Sequence, residues 1–391
     1  MPRMKAFRGF VPNESAVNPG EVICPPYDVI PEELHAQLLE SSPHNAVRWI
    51  LGDDPSAKPD ENVFRKCGNS MREAVESGTI KREEKPSIYR YGIRYQTSEG
   101  GQSHLQGVIA VVEALPWGQG VERHEEIRTH TVSRLVDQAR LTTIDTGVVQ
   151  LSCEGLEKAL ESVGAGPDSG DLVFESPDWR GDVHTLRRID DPDQIKAIEE
   201  VLEPMPSAVA DGHHRYTTAM ELSNDDQLRG GGFVLAFIGD LHQEGLHIRP
   251  THRIWDWSPE VGVSPETVAE RLVEVLDDGE GEPWQIVLGN GNAIHLKTRP
   301  DSEKPTLARR LVDVISEFEG LGAPATPHEE NVARKLLSQH DSGLLCLLPP
   351  VGREEFWART MVHEVFPPKT TFFEPKISTG MVVRFTDEED V

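Results

Sequence analysis

Apolar positions along this chain alternate in some segments and recur every three to four residues in others, and that mixture predicts a mixed α/β (α+β) fold. Pro31–Ser42 begins with Pro and two acids and carries apolar residues at helical spacing, so it reads as a surface helix. Ser87–Tyr95 and His104–Ala114 alternate or run apolar with β-branched residues, as paired strands do, with a turn at Thr97–Gly101. Helical spacing returns at Val132–Leu141 and Gly155–Val163, and again where Asp191 caps and Pro192 starts a helix ending at Leu202. Strand and helix patterns then alternate through Ser207–Ala210, His214–Leu228, Phe233–Gly239 and His247–Trp255.

Gly- and acid-rich stretches at Gly164–Gly170 and Asp277–Glu282 are the clearest punctuation. At roughly 150 residues per domain, the 391 residues predict two or three domains or one intertwined unit. The division expected is an N-terminal mixed α/β portion over 1–200, a phosphate-binding core segment over 201–260 and a C-terminal α/β portion over 261–391. Asp387–Asp390 reads as a frayed, solvated acidic tail.

Charge changes the picture of partners. The chain has 39 Lys and Arg against 66 Asp and Glu, a net charge of −27, which excludes gripping nucleic acid or anionic lipid by bulk charge. An anionic ligand must therefore be held by a local pocket, and neither a nucleic-acid nor a membrane partner is expected. Cys24, Cys67, Cys153 and Cys346 stand far apart without a CxxC pair, so no disulfide framework or structural zinc is expected. The N-terminus MPRMKAFRGFVP lacks the apolar core of a signal peptide, and the expected location is the cytoplasm.

The sequence contains no GxxxxGK[ST], HExxH or GxSxG, and Gly289-Asn290-Gly291 lacks the third glycine of a dinucleotide fingerprint. The informative stretch is Ser207–Leu222, where an apolar strand runs into Asp211-Gly212 and opens directly into a helix. The first N–H groups of such a helix and the positive end of its dipole face the turn, an arrangement suited to phosphate. Gly212 permits close approach of an anion, and His213, His214 and Arg215 crowd donors at the same point, with the hydroxyls of Thr217 and Thr218 in the first turns. Asp211 stands on the lip, where a carboxylate suits either a Mg²⁺ ion or a substrate hydroxyl proton. A polar turn whose histidines solvate a helix end is the plainer account of the same residues.

This strand, Gly-containing turn and helix resemble the signature of the ParB/sulfiredoxin superfamily, which binds nucleotide phosphates. The wider sequence resembles the domain-of-unknown-function 1015 family from Phe7 to about Arg384. The phrases that carry this are Cys24–Ile30, Arg123-His124-Glu125, Ala210–Tyr216, Pro250–Arg253 and Lys369–Gly380. Within the superfamily, sulfiredoxins place a cysteine where this chain has His213, and ParB proteins add a basic DNA-binding helix pair that a charge of −27 opposes. Free-serine kinases carry the same Asp-Gly-His-His-Arg turn. The resemblance therefore implies a nucleotide-binding core with added N- and C-terminal portions. It also implies a Mg²⁺-dependent phosphotransferase using ATP or ADP on a small hydroxyl-bearing metabolite, serine or phosphoserine first, in either direction. After Arg-His-Glu the family has a Thr and a Pro-Lys turn, whereas Glu126–Val132 stands here, so a non-catalytic nucleotide-binding regulator is the alternative.

Other residues join the candidate site on local grounds. Two prolines before Tyr27 and Asp28 fix an extended entry that aims both side chains into a cleft or supports the first helix. His124 and Glu125 follow a strand on a loop, with Glu125 the candidate base and His124 its orienter or a phosphate donor. Arg253 is placed at the end of a strand pairing beside Phe233–Gly239, as a fork for carboxylate or phosphate. Lys376 lies in a Pro-containing stretch that either folds over an anion or holds an edge strand.

Overall fold

Val149, Leu151 and Cys153 belong to one buried apolar cluster, while Gln150 and Ser152 between them face the other way. That alternation marks a strand buried on both faces, and it lies inside the larger of two units into which the chain divides. The computed structural model describes residues 1–388 except 98–99, 146, 226–227, 229, 259, 300–303 and 340–341. The first unit comprises Met1–Arg123, Ile127–Leu246 and Pro375–Val391, and the second His124–Glu126 and His247–Glu374.

In the first unit the described residues form a nine-stranded sheet. Its path runs Val121–Glu122, Ser207–Asp211, Val149–Cys153, Phe233–Asp240, Gln102–Glu113, Ile88–Gln96, Val183–Ile189 and Asp171–Pro177, with Met4–Lys5 also paired to Gln102–Glu113. The pairs of Ser207–Asp211 with Val121–Glu122 and of Phe233–Asp240 with Val149–Cys153 are parallel, and the other pairs are antiparallel. One face packs on Leu156, Leu160, Ile198, Leu202, Tyr216 and Ala219 from helices Leu156–Ser162, Pro192–Leu202 and His213–Leu222. The expected strands at Ser87–Tyr95 and His104–Ala114 are present as an antiparallel pair, and the centre of the turn expected between them, residues 98–99, lies outside the described residues. Asp191 caps Pro192–Leu202 by accepting from the Gln194 N–H.

A Tyr–His–Asp chain links two strands of this sheet to Asp178, the residue after the strand Asp171–Pro177. The Tyr91 hydroxyl and His184 Nδ1 are 2.7 Å apart, and His184 Nε2 lies 3.3 Å from Asp178 Oδ2. Tyr91 and His184 are both buried, so Tyr91→Phe strands a ring nitrogen without a partner. The expected loss is about 1–3 kcal/mol, read as a lower urea midpoint at unchanged slope; an unchanged midpoint removes the hydroxyl from the account.

The second unit holds a four-stranded sheet in the order Arg253–Asp256, Gly343–Leu347, Glu282–Leu288, Ala293–Thr298, and a two-stranded ladder of His247–Arg249 with Phe372–Glu374. Its core gathers Leu272, Leu276, Trp284, Ile286, Leu311 and Cys346. The single strand expected over His247–Trp255 is thus two strands in different sheets, and Arg253 does not pair beside Phe233–Gly239. Pro250 stands between the two, and having no N–H it cannot continue a ladder.

Two other expectations need adjustment, and one helix was not expected. The helix expected over His214–Leu228 is His213–Leu222, with 226–227 outside the described residues. The helix Glu61–Glu76, whose buried residues are Phe64, Cys67, Gly68 and Met71, has no counterpart in the sequence analysis. In the acidic tail Asp387 pairs with Arg72 at 2.9 Å and Glu388 with Arg82 at 2.7 Å, so these two are tied down rather than frayed, and 389–390 lie outside the described residues. Among the described residues no helix is long and apolar enough to cross a membrane.

Candidate functional site

A one-residue bulge sets the site. Val209 pairs with Leu151, but the next partner of Gln150 is Asp211, so Ala210 is extra and Asp211 aligns with the polar side of its neighbour strand. Gly212 then adopts φ 97°, a conformation open to glycine at no steric cost, and the helix starts at His213. Gly212 supplies no side-chain cap, so the first-turn N–H groups face the turn without one.

Asp211 is the anchor. Its Oδ2 accepts from Arg215 Nη2 at 2.7 Å, and its Oδ1 accepts from Lys376 Nζ. Burial alone raises a carboxyl pKa, yet the Lys376 ammonium and the Arg215 guanidinium outweigh it and hold Asp211 well below the ordinary carboxylate range. A carboxylate held so low is a poor proton acceptor. Arg215 is almost fully buried and its Nη1 donates to the Val148 carbonyl at 2.6 Å. A Cβ on Gly212 would sit 3.1 Å from this guanidinium, and one on Gly147 2.9 Å from Nη1, so both glycines make room for it.

The Cys24–Asp28 phrase supplies a neighbouring wall. Burial raises the Tyr27 phenol, Arg215 lowers it, and Asp211 acts on it as well, which places the ring within electrostatic reach of the pair. The Arg134 guanidinium lies 5.3 Å from the Tyr27 ring centroid. Asp28, beside it in the short 3₁₀ turn Tyr27–Val29, is exposed.

The other turn residues divide their work. His213 is buried, its ring 6.3 Å from that of Trp117, and its charge bears on Asp211. His214 Nε2 accepts from the Arg128 N–H at 3.0 Å, which makes this nitrogen an acceptor and ties the helix to the Ile127–Arg128 segment. Thr217 and Thr218 donate their hydroxyls to the His213 and His214 carbonyls at 2.9 and 2.8 Å.

His124, Glu125 and Arg253 belong to the second unit. His124 lies 2.8 Å from the Thr371 hydroxyl and is ringed by Phe356, Phe366 and Phe373. Glu125 forms a parallel bridge with Phe366. Arg253 is buried and donates to the Pro368 carbonyl at 3.0 Å. Burial lowers its guanidinium to about 10 against the opposing pull of Cys346 and Glu125.

Sequence reasoning thus named Asp211, Gly212, Arg215 and Lys376, and the structure brings these four together. It did not name Gly147, Val148, Gln150, Arg134 or Thr379, although Thr379 sits inside a quoted phrase. Both Asp211 oxygens are engaged by cations, and among the described residues no three His, Cys, Asp or Glu side chains gather as metal ligands. Each Asp211 oxygen already faces a cation, which disfavours this carboxylate as a Mg²⁺ ligand.

Comparison with known proteins adds a family. The model of a family described as a protein of unknown function, DUF1015, matches residues 4–315. No curated protein matches the chain. Among solved structures, a free serine kinase in complex with AMP is 13% identical with a TM-score of 0.39, over 69% of this chain and 88% of that one. A conserved hypothetical protein from Pyrococcus furiosus is 13% identical with a TM-score of 0.38, over 69% and 92%. C-terminally truncated SbnI from Staphylococcus aureus is 14% identical with a TM-score of 0.39, over 68% and 82%.

Proposed function

We propose, for a chain that belongs to the DUF1015 family of proteins of unknown function, that the turn at Asp211–Arg215 binds the phosphates of ATP or ADP. The activity proposed is transfer of a phosphoryl group to or from a small hydroxyl-bearing metabolite, with serine or phosphoserine the first candidate. One observation carries this reading: Arg215 and Lys376 converge on Asp211 at the start of the helix His213–Leu222. Two cations fixed by one carboxylate are oriented before a ligand arrives, and the helix N-terminus adds its partial positive charge.

In this reading Asp211 is a positioning residue. It holds Arg215 and Lys376 in place, and the phosphates' charge is met by those two side chains and the first-turn N–H groups. Gly212, with no side chain, leaves the backbone open to the phosphate, and Tyr27 contributes to the wall of the cleft. Glu125 remains the candidate base on the strength of the Arg-His-Glu phrase, and His124 its neighbour.

The regulator reading has its own support, because the segment after Glu125 runs into the helix Thr129–Thr142 in place of the Thr and Pro-Lys turn expected from the family. Incubation with ATP or ADP, Mg²⁺ and a panel of small hydroxy and amino acids, followed by ³¹P NMR, separates the two. A new phosphate-ester resonance, or loss of one from phosphoserine, supports the phosphotransferase. Nucleotide binding without any transfer across the panel supports the regulator.

A further inference from the structure

We propose that Thr379 donates its hydroxyl to the phosphoryl oxygens held at the start of the helix His213–Leu222, which makes the strap Pro375–Gly380 a working wall of the anion pocket. This rests on the nucleotide-binding reading above and extends it to a residue that the turn motif does not contain.

Thr379 is 4% exposed, and its Oγ1 is buried without a hydrogen-bond partner. The backbone around it is fully engaged, since Thr379 N–H donates to the Cys24 carbonyl at 2.8 Å and Cys24 N–H donates back at 3.1 Å. The strap is thereby anchored to the phrase that carries Tyr27, while the hydroxyl alone is left over. Its direction is given by Gly147, whose φ of 152° is one that L side chains rarely adopt. A Cβ at Gly147 would fall 3.3 Å from Thr379 Oγ1 and 2.9 Å from Arg215 Nη1, so the hydroxyl and the guanidinium both lie against the bare face of Gly147. Three residues earlier on the strap, Lys376 reaches Asp211.

Burying a hydroxyl unpaired is unfavourable, and here the unpaired donor stands beside a buried guanidinium near the open end of a helix. A tetrahedral, doubly charged phosphoryl group suits that set, because it offers several acceptor oxygens to one hydroxyl, one guanidinium, one ammonium and the first-turn N–H groups. A flat carboxylate offers fewer. The chemical class that follows is a terminal phosphate of a nucleoside diphosphate or triphosphate, or the phosphate of a small monoester.

Calorimetric titration of the full chain with ADP and with inorganic pyrophosphate tests this. Thr379→Val replaces the hydroxyl by a methyl of similar shape, and affinity for both probes is expected to fall about tenfold or more, while the melting temperature without ligand stays equal or rises. Thr379→Ser keeps the hydroxyl and is expected to bind within a few-fold of wild type. Thr379→Ala removes the hydroxyl without a β-branched replacement and repeats the test should the Val variant not fold. Wild-type affinity in the Val or Ala variant, alongside loss of binding in Arg215→Ala, overturns the role of Thr379 and leaves the nucleotide reading standing. A wild-type protein that binds neither probe overturns both.

Discussion

In Asp211→Asn the protein is expected to lose about 3–5 kcal/mol of stability, the usual consequence of removing one partner from a buried ion pair. Asn keeps the size of the side chain but leaves Arg215 and Lys376 facing each other without the carboxylate that both engage. The same argument sets a pH dependence. The folded Asp211 carboxyl titrates below its unfolded value of about 3.9, so its contribution is complete above roughly pH 4–5 and disappears as pH falls through the folded pKa. Wild type should therefore lose stability towards acid more steeply than Asp211→Asn. Urea unfolding of both at pH 7 and pH 3 checks this, and equal midpoints at pH 7 would show that the cations are satisfied without Asp211.

Glu125→Gln is expected to lower phosphoryl transfer about 10²–10⁴-fold while leaving nucleotide affinity within a few-fold, because Gln preserves size and hydrogen bonding but cannot accept a proton. The backbone at Glu125 is fixed by its bridge to Phe366, so the substitution is not expected to move the segment. Asp211 is a weak rival for the role, since both its oxygens are engaged and its pKa is depressed. Single-turnover ³¹P measurements on wild type and variant decide the matter. Full turnover in Glu125→Gln would pass the base to Asp28, the exposed carboxylate next to Tyr27.

The parts of this fold legible in the sequence are those written in local chemistry. Asp191 and Pro192 announce a helix start, alternation announces the paired strands Ile88–Gln96 and Gln102–Glu113, and the apolar run into Asp211-Gly212 announces strand, turn and helix. What was not legible depends on distant chain. Lys376 reaches Asp211 across 165 residues, and no local spacing encodes that contact. The bulge at Ala210, which turns Asp211 towards the side of Gln150, is a property of pairing between strands. Pro250 interrupts the run His247–Trp255, whose apolar pattern suits one strand, and the chain there forms two short strands in different sheets. The helix Glu61–Glu76 buries Phe64, Cys67, Gly68 and Met71 at helical spacing, a signal present in the sequence but weakened because Gly68 contributes no apolar side chain to it.

The central claim is that the Asp211–Arg215 turn is a nucleotide phosphate site, and calorimetric titration of wild type and Arg215→Ala with ADP tests it most directly. Arg215→Ala removes a buried guanidinium that makes charge-assisted contacts. The account predicts one ADP per chain for wild type and an affinity at least about 100-fold weaker for Arg215→Ala. Absence of binding to wild type at millimolar ADP, or equal affinity in the two proteins, would contradict it.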